Sequence, residues 1–128
     1  MSQLVRRLTT RLTVAATLKQ TLELLRTSKK YQQRFFAMDD RGKSCSPLLR
    51  DAALSMRGAI IRASDGVGGA AAVFDFMKLN RLLPRKEPTR EEAIRLVTQA
   101  LELAERREAA KLQEDRERAS TDIWERAE

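Results

Sequence analysis

Catalytic and metal-binding side chains are scarce in this sequence. Histidine is absent, and Cys45 is the one cysteine. Without histidine the chain lacks the commonest general base, the commonest metal ligand and every His-dependent catalytic triad. A lone thiol without a base beside it is a poor nucleophile, although the nearby cations Arg41 and Lys43 would favour its thiolate form. We therefore expect no enzymatic activity, no metal or cofactor, and no small-molecule substrate.

Two short segments resemble phosphate-binding motifs in residue type, but the residues around them do not fit those motifs. Gly42-Lys43-Ser44 matches the end of a P-loop, but that motif needs a glycine five positions before Gly42, where this chain has Ala37. Residues 66–71, with the sequence GVGGAA, match the G-x-G-x-x-A pattern of dinucleotide-binding folds. That pattern follows a strand, whereas the residues before it here have helical spacing. Both segments are therefore predicted to be loops or helix breaks.

A set of closely spaced cations is the more substantial candidate site. Arg26, Lys30 and Arg34 recur every four residues and would form one stripe on a helix. Such stripes contact phosphates, and interleaved aromatic rings such as Tyr31 and Phe36 can stack on unpaired bases. An acidic protein surface or an anionic lipid surface would suit the same cations. The candidate contacts with a nucleic acid or another anionic surface are Arg26, Lys29, Lys30, Arg34, Arg41 and Lys43.

The first 22 residues contain no Asp or Glu, and the first acid in the chain is Glu23. They carry hydroxyl side chains, Thr17 and Thr21 among them, and leucines that recur three or four residues apart, which predicts an amphipathic helix. An acid-free, arginine-bearing, hydroxyl-rich amphipathic N-terminus is typical of mitochondrial targeting segments. We therefore expect a mitochondrial location, in the matrix or on the matrix face of the inner membrane. The cations of this targeting-like helix are Arg6, Arg7, Arg11 and Lys19.

Hydrophobic periodicity predicts an all-α fold of about four helices, with no strand. The first predicted helix covers residues 5–36 and turns four apolar residues to one face: Leu18, Leu22, Leu25 and Phe36. Lys29 falls on the same face. Either the helix ends or bends near residues 27–28, or Lys29 meets a partner there.

The next two helices are predicted from their cap and breaker residues. Ser46 would cap a second helix, because it is followed by Pro47 at the first helical position, where a missing N–H is tolerated. This helix would run to Ala63 and end at a glycine-rich break, with Gly66 as its left-handed cap. A third helix is predicted over residues 70–83.

The fourth predicted helix, over residues 90–119, begins at a capping box formed by Thr89 and Glu92. Its first half carries an apolar stripe that should pack on the body: Ile94, Val97, Leu101 and Ala104. In its second half, Glu–Arg pairs four residues apart, each worth about 0.2–0.5 kcal/mol, can support a solvated helix that projects from the body. Beyond it, Ile123 and Trp124 are the candidate partner-docking residues.

Charge divides the chain into a basic helical body, residues 1–88, and a long mixed-charge helix, residues 89–128. Residues 1–90 carry 18 Lys or Arg and 7 Asp or Glu, whereas residues 91–128 carry 7 and 11. The body would suit a phosphate-rich or acidic surface, and the acidic end would suit water or a basic partner. With aromatic residues at 5%, the core is expected to be aliphatic.

Together these features predict a non-catalytic structural or accessory subunit of a large mitochondrial assembly. Its partners would be other protein subunits, with RNA or an anionic membrane surface as further contacts. A ribosome or RNA-processing particle would explain the basic body, and so would an inner-membrane respiratory or ATP-synthase complex, because basic amphipathic helices bind anionic lipid. The alternative is a bacterial or phage nucleic-acid-binding regulator. No run of about 18 apolar residues is present, so no transmembrane span is expected.

Overall fold

The computed structural model describes the backbone of residues 13–65 and 67–127 and the side chains of residues 13–65 and 69–119. Within these residues the chain is mostly helical, as predicted, with one short pair of strands. The core is aliphatic as expected, and Phe76 is the only buried aromatic side chain among those described. In chain order the elements are α1 (Val14–Thr27), β1 (Ala37–Met38), β2 (Ala53–Leu54), α2 (Met56–Ala63), α3 (Val67–Leu79) and α4 (Arg90–Ala127).

Helix α1 begins at a threonine cap and buries one apolar face. The hydroxyl of Thr13 accepts a hydrogen bond from the backbone N–H of Ala16 at 3.0 Å, which satisfies one of the free donors at the helix start. The leucines of the predicted apolar face are buried, namely Leu18, Leu22 and Leu25.

Helix α1 is shorter than predicted. The backbone becomes extended at Ser28, with φ −64° and ψ 128°, so the predicted continuation to Phe36 is wrong. A continued helix would have turned the charged Lys29 onto the buried leucine face, whereas the observed end leaves Lys29 exposed. Of the two alternatives for Lys29, the ending of the helix is the one observed.

A glutamine side chain organises the segment that follows α1. The carboxamide oxygen of Gln32 accepts hydrogen bonds from the backbone N–H groups of Arg34 at 2.8 Å and Phe35 at 2.9 Å. Its nitrogen donates to the carbonyl oxygens of Phe35 at 2.7 Å and Ala53 at 3.2 Å. These bonds bring the segment alongside β2, with which β1 pairs in antiparallel orientation. The prediction that the chain has no strand is therefore wrong here.

Helix α2 begins at Ser55, not at Ser46 as predicted. The Ser55 hydroxyl accepts a hydrogen bond from the backbone N–H of Gly58 at 3.1 Å and so caps the helix. Ser46 caps a single turn only, in which its hydroxyl accepts from the N–H of Leu48 at 3.2 Å. The chain after that turn enters β2, whose ladder supplies the backbone hydrogen bonds that a helix would otherwise provide.

The first turn of α2 lies directly against the backbone that precedes β1. The carbonyl oxygen of Phe36 accepts hydrogen bonds from the N–H (3.1 Å) and the hydroxyl (3.2 Å) of Ser55, which is buried. It also occupies the space that a side chain at Gly58 would need. A β-carbon there would overlap this oxygen and lie 2.8 Å from the carbonyl carbon of Phe36. Gly58 is therefore the residue that allows this close approach.

Helix α3 (Val67–Leu79) begins and ends earlier than the predicted range of 70–83. Its end is a Schellman turn, in which the N–H of Leu82 donates to the carbonyl oxygen of Met77 at 2.8 Å. Arg81 adopts the left-handed conformation in this turn, with φ 57°. Gly66, the predicted left-handed cap before α3, lies outside the described residues.

Helix α4 begins at the predicted cap, where the Thr89 hydroxyl accepts a hydrogen bond from the N–H of Glu92 at 3.3 Å. Its buried stripe is offset from the predicted one, because Ile94 and Leu101 are only partly buried. Burial falls instead on a mainly alanine stripe, and small side chains allow the packed backbones to approach closely. The stripe consists of Ala93, Val97, Ala100 and Ala104.

Beyond Ala104 helix α4 leaves the core. The side chains of residues 105–119 are exposed and the helix continues to Ala127, which confirms the predicted projecting helix. Two contacts lie at its base. The Glu108 carboxylate accepts the N–H of Ala15 at 3.5 Å, where the start of α1 favours a negative charge. The Arg107 guanidinium lies 5.8 Å from the ring centre of Phe76. We call residues 109–127 the arm.

Replacing Gly58 by alanine should lower the free energy of unfolding by about 3 kcal/mol or more, because the new β-carbon must displace the Phe36 carbonyl from its hydrogen bonds with Ser55. Gly42→Ala is the matched control. Nothing lies within 4 Å of a β-carbon at Gly42, whose φ is +79°, so only the left-handed backbone is strained. That strain costs about 1–2 kcal/mol. Urea denaturation followed by circular dichroism measures both variants, and equal losses would contradict the close approach.

Candidate functional site

The predicted basic stripe does not form one face of a helix. Arg26 lies in the last turn of α1. Lys30 and Arg34 follow the end of that helix, where the chain is irregular, so their spacing no longer aligns the three side chains. The predicted stripe is therefore wrong as geometry, because the helix that would have carried it ends at Thr27. Contact of these cations with an anionic surface stays a prediction.

The cations at positions 34, 41 and 43 are exposed. The Arg34 guanidinium lies 5.3 Å from the ring centre of Phe35. Arg41 and Lys43 belong to the loop after β1, in which the Asp39 carboxylate accepts both of their backbone N–H groups at 2.9 Å. This loop holds its backbone by local hydrogen bonds and leaves the two cationic side chains in solvent.

The structure brings Lys29 and Lys30 together with two cations that sequence reasoning missed, Arg50 and Arg62. All four line a surface depression of about 380 Å³, which we call the basic lobe. Four cations and two carboxylates give this lobe an excess of positive charge. Its complete lining is Leu24, Ser28, Lys29, Lys30, Asp40, Arg50, Asp51, Ala52 and Arg62.

Two of the four cations are engaged and two are not. The Lys30 ammonium lies 3.0 Å from a carboxylate oxygen of Asp40, and both side chains are largely exposed. The Arg62 guanidinium donates to backbone carbonyl oxygens of the loop before β2, one of them at 2.7 Å. Lys29 and Arg50 form no hydrogen bond or ion pair within the described part of the chain. They are the charges that remain available to a ligand.

A second depression of about 350 Å³ adjoins the basic lobe. The two share Asp40, Arg50, Asp51 and Ala52, and the second adds Asp39, Cys45 and Leu49. Apolar atoms contribute most of its surface, so we call it the apolar lobe and the two together the cleft. Cys45 is a half-buried free thiol, and Leu49 is 53% exposed.

Tyr31 is bonded to the segment that connects α3 and α4 and is therefore not free to stack on a base. Its hydroxyl donates to the carbonyl oxygen of Pro88 at 2.6 Å. Burial, aided by the negative charge of Glu87, raises the pKa of Tyr31 to about 12. The Arg90 guanidinium lies 5.6 Å from the centre of the same ring. Phe36, the other aromatic residue considered for stacking, is 50% exposed.

A largely buried ion pair holds the same connection. The Arg57 guanidinium lies 3.2 Å from a carboxylate oxygen of Glu87, and the backbone N–H of Arg57 donates to the other oxygen at 3.4 Å. Arg57 also donates to the carbonyl oxygen of Pro84, and Gln33 donates to the carbonyl oxygen of Glu87 at 3.1 Å. The carboxylate thus meets the first turn of α2, where a negative charge is favourable.

Part of the targeting-like segment belongs to the core. Thr17 and Thr21 are buried, and the Thr21 hydroxyl donates to the carbonyl oxygen of Thr17 at 2.8 Å. Lys19 is exposed on α1. The threonines of residues 13–22 therefore have a structural role that does not depend on a targeting function.

Several predicted site residues lie outside the described residues. These are Arg6, Arg7 and Arg11 of the targeting-like helix and the side chains of Ile123 and Trp124. Their proposed roles stay predictions.

Within the described residues, every helix is too short or too polar to cross a membrane. The same residues contain no group of three His, Cys, Asp or Glu side chains that could hold a metal ion. In comparisons with known proteins, no family model, curated protein or solved structure matches this chain. The cleft and the arm are therefore the features on which a function can be proposed.

Replacing Tyr31 by phenylalanine should lower the free energy of unfolding near neutral pH by about 1 kcal/mol, because the Pro88 carbonyl loses its donor. The tyrosine of the unfolded chain ionises near its ordinary pKa of 10, before the native one at about 12. Between these values the native state binds more protons, so the stability of the wild type falls as pH rises.

The variant has no such titration, and its stability deficit should shrink over the same pH range. Urea denaturation of both proteins across that range gives the difference, which cancels titrations that they share. A deficit that stays constant would mean that the Tyr31 hydroxyl is solvated instead of bonded to Pro88.

Proposed function

We propose that this chain is a non-catalytic structural or accessory subunit of a larger assembly, and that the arm is the element that reaches its partner. The observation that carries the proposal is the exposure of every side chain from residue 105 to 119 on a helix that continues to Ala127. A helix that is polar on all sides has no apolar face with which to pack on its own domain. Such helices commonly bridge between bodies through solvent.

The dimensions and composition of the arm support this role. Its 19 residues beyond Glu108 extend about 28 Å, which is close to the diameter of a small domain. Leu112, 54% exposed, is the large apolar side chain among those described in the arm. The sequence then places Ile123 and Trp124 near its end, and a tryptophan is a frequent interface anchor.

The basic lobe supports a second contact, with an anionic group. Lys29 and Arg50 lack partners among the described residues, and the body as a whole is strongly basic. A field of this sign speeds encounters with acidic partners and helps to orient them. An accessory subunit would thus make one contact through the arm and another through the body.

The assembly in this proposal is mitochondrial, on the evidence of the acid-free N-terminal segment. Helix α1 begins at Val14 and buries Leu18 and Leu22 in the core. A targeting segment that is cleaved off after import would therefore have to end before Thr13. Cleavage further along would remove part of the core.

Deleting residues 113–128 should leave the free energy of unfolding of the body within about 0.5 kcal/mol of that of the full chain. The reason is that no described side chain of this segment packs on the body. Deleting residues 105–128 is the contrasting variant. It also removes the Glu108 carboxylate at the start of α1 and the Arg107 contact with Phe76. It should cost about 1–2 kcal/mol.

In cells, the shorter deletion should abolish co-purification of the partner subunits that the full chain captures. The full chain with Ile123→Ala and Trp124→Ala should do the same, and Ser120→Ala with Thr121→Ala is its matched control. Partners that co-purify equally with all these variants would show that the arm is not the contact element.

Fusing residues 1–30 to a fluorescent protein should direct it to mitochondria, and replacing Arg6, Arg7 and Arg11 by glutamate should abolish this, because import receptors bind a cationic amphipathic face. The matched control changes Arg26, Lys29 and Lys30 to glutamate, which lie outside the targeting-like set. Microscopy with a mitochondrial dye measures the location. A reporter that stays in the cytosol without any substitution would overturn the proposed location.

A further inference from the structure

The segment after α1 lies against the segment that joins α3 to α4, and exposed cations flank the contact. The side-chain nitrogen of Gln33 donates to the carbonyl oxygen of Glu87 at 3.1 Å. Their neighbours in the chain, Arg34 and Lys86, are both exposed. Bond lengths limit the distance between the Cα atoms of Arg34 and Lys86 to about 18 Å. One ligand can therefore meet both of these long side chains.

The first turn of α2 holds both segments. The carbonyl oxygen of Phe36 accepts the hydrogen bonds of Ser55. In the same turn, Arg57 donates to the carbonyl oxygen of Pro84 and pairs with the Glu87 carboxylate. Phe36 and Pro84 are thus bound to one turn of one helix, which fixes the two segments relative to each other.

The exposed charge of the two segments is positive. Residues 28–38 contain no Asp or Glu, and residues 81–90 contain one, Glu87. The side chain of Glu87 is only 9% exposed and is paired with Arg57. A ligand at this surface therefore meets the cations of the two segments and not their single carboxylate.

Three exposed cations of these segments are available to a ligand. Their side chains form no hydrogen bond or ion pair with any described residue: Arg34, Arg85 and Lys86. Carboxylates begin again directly after the two segments, at Asp39 and at Glu91. Asp39 accepts N–H groups of its own loop, whereas Glu91 is exposed in the first turn of α4. Three free cations thus stand against one free carboxylate.

Aromatic rings accompany these cations. The ring of Phe36 is 50% exposed, and the guanidinium of Arg34 lies 5.3 Å from the ring centre of the half-buried Phe35. Unpaired bases stack on aromatic rings and on guanidinium planes, whereas the cleft lining includes no aromatic side chain. We call these five side chains the aromatic-basic surface: Arg34, Phe35, Phe36, Arg85 and Lys86.

We propose that the aromatic-basic surface binds single-stranded nucleic acid, with its free cations on phosphates and Phe36 stacked on a base. In a duplex the bases are already stacked on one another, so Phe36 would lack a partner. An anionic membrane holds a protein by charge together with buried apolar area. Phe36 is the one large apolar side chain of residues 28–38 and 81–90 that is exposed, which is little area for a membrane contact.

Fluorescence anisotropy of labelled oligonucleotides, titrated with the full chain at several salt concentrations, tests the proposal. The probes are oligouridylate and oligodeoxythymidylate of about 15 nucleotides, the upper end of the site sizes of small binding domains, and an RNA duplex of the same length. Both single strands should bind, more weakly as salt rises, because counterions are released from the phosphates. The duplex should bind at least roughly fivefold more weakly, because it offers no base to Phe36.

A charge variant tests the phosphate contacts. It carries three neutral replacements: Arg34→Gln, Arg85→Gln and Lys86→Gln. For single strands, the slope of log affinity against log salt should become shallower by about 2, since each lost contact removes about 0.7. The matched control removes the same charge from exposed positions on α1 and α4 and should keep the wild-type slope: Lys19→Gln, Arg106→Gln and Lys111→Gln.

A ring variant tests the stacking. Phe36→Ala should weaken the binding of single strands by about fivefold or more, whereas Phe36→Tyr keeps a ring and should bind like the wild type. Both keep the backbone carbonyl that contacts Ser55. Leu48→Ala is the matched control, because it also shortens a large apolar side chain that is half exposed, at 51%, and it should not change binding. Urea denaturation verifies that each variant is folded.

Several outcomes would overturn the proposal. A wild type that binds neither single strand, or that binds the duplex equally well, removes it. Equal effects of the charge variant and its control would indicate unspecific attraction, and a folded Phe36→Ala that binds like the wild type would rule out stacking. Binding to vesicles of phosphatidylserine through these cations, without binding of oligonucleotides, would assign the surface to a membrane. Tighter binding of one of the two single strands would support the proposal and identify the strand.

The arm does not contribute to this surface, so the two proposals can fail separately. The chain without residues 113–128 should bind single strands at least as tightly as the full chain, because the deletion removes more acids than cations. Loss of binding in this deletion would place the site on the arm and overturn the inference. Retained binding, together with partners that co-purify without the arm, would overturn only the role proposed for the arm.

Discussion

The structure depends on the packing of one backbone carbonyl against the first turn of a helix. The Phe36 oxygen accepts both hydrogen bonds that Ser55 offers, and the missing side chain at Gly58 leaves room for it. This contact places β1 beside β2 and so returns the chain to the end of α1. Because residues 28–36 are held between these two points, the cations at the end of α1 border the same depression as Arg50. The cleft is therefore the consequence of a contact to which none of its own residues contributes.

The same turn of α2 also positions α4. The Glu87 carboxylate pairs with Arg57 and accepts its backbone N–H, while Tyr31 holds the carbonyl oxygen of Pro88. A buried ion pair is retained at little cost only when further hydrogen bonds satisfy its charges, as they do here. Helix α4 begins at Arg90, three residues after this pair. The first turn of α2 thus contacts both the segment that borders the cleft and the segment from which α4 starts.

The features of this structure that can be predicted from the sequence are those formed by residues close together in the chain. The Thr89 cap and the loss of apolar period in the second half of α4 are local, and both the start and the exposed end of that helix are as predicted. Two-residue strands have no period to detect, and their paired residues lie 15 and 17 positions apart. For the same reason local sequence patterns identify only two cations of the basic lobe, Lys29 and Lys30. Arg50 and Arg62 join them through tertiary packing, for which no local pattern exists.

The direction of the arm follows from small residues in the first half of α4. Ala93, Ala100 and Ala104 are buried in the core, and an alanine has no side-chain rotamers through which the contact could shift. Beyond them the arm contains neither glycine nor proline, the usual causes of a kink, so the axis set in the core continues outward. The tip of the arm is then held at a defined distance and direction from the cleft of the same chain. This separation also keeps the acidic end from neutralising the chain's own basic surface, which leaves both charges available to other molecules.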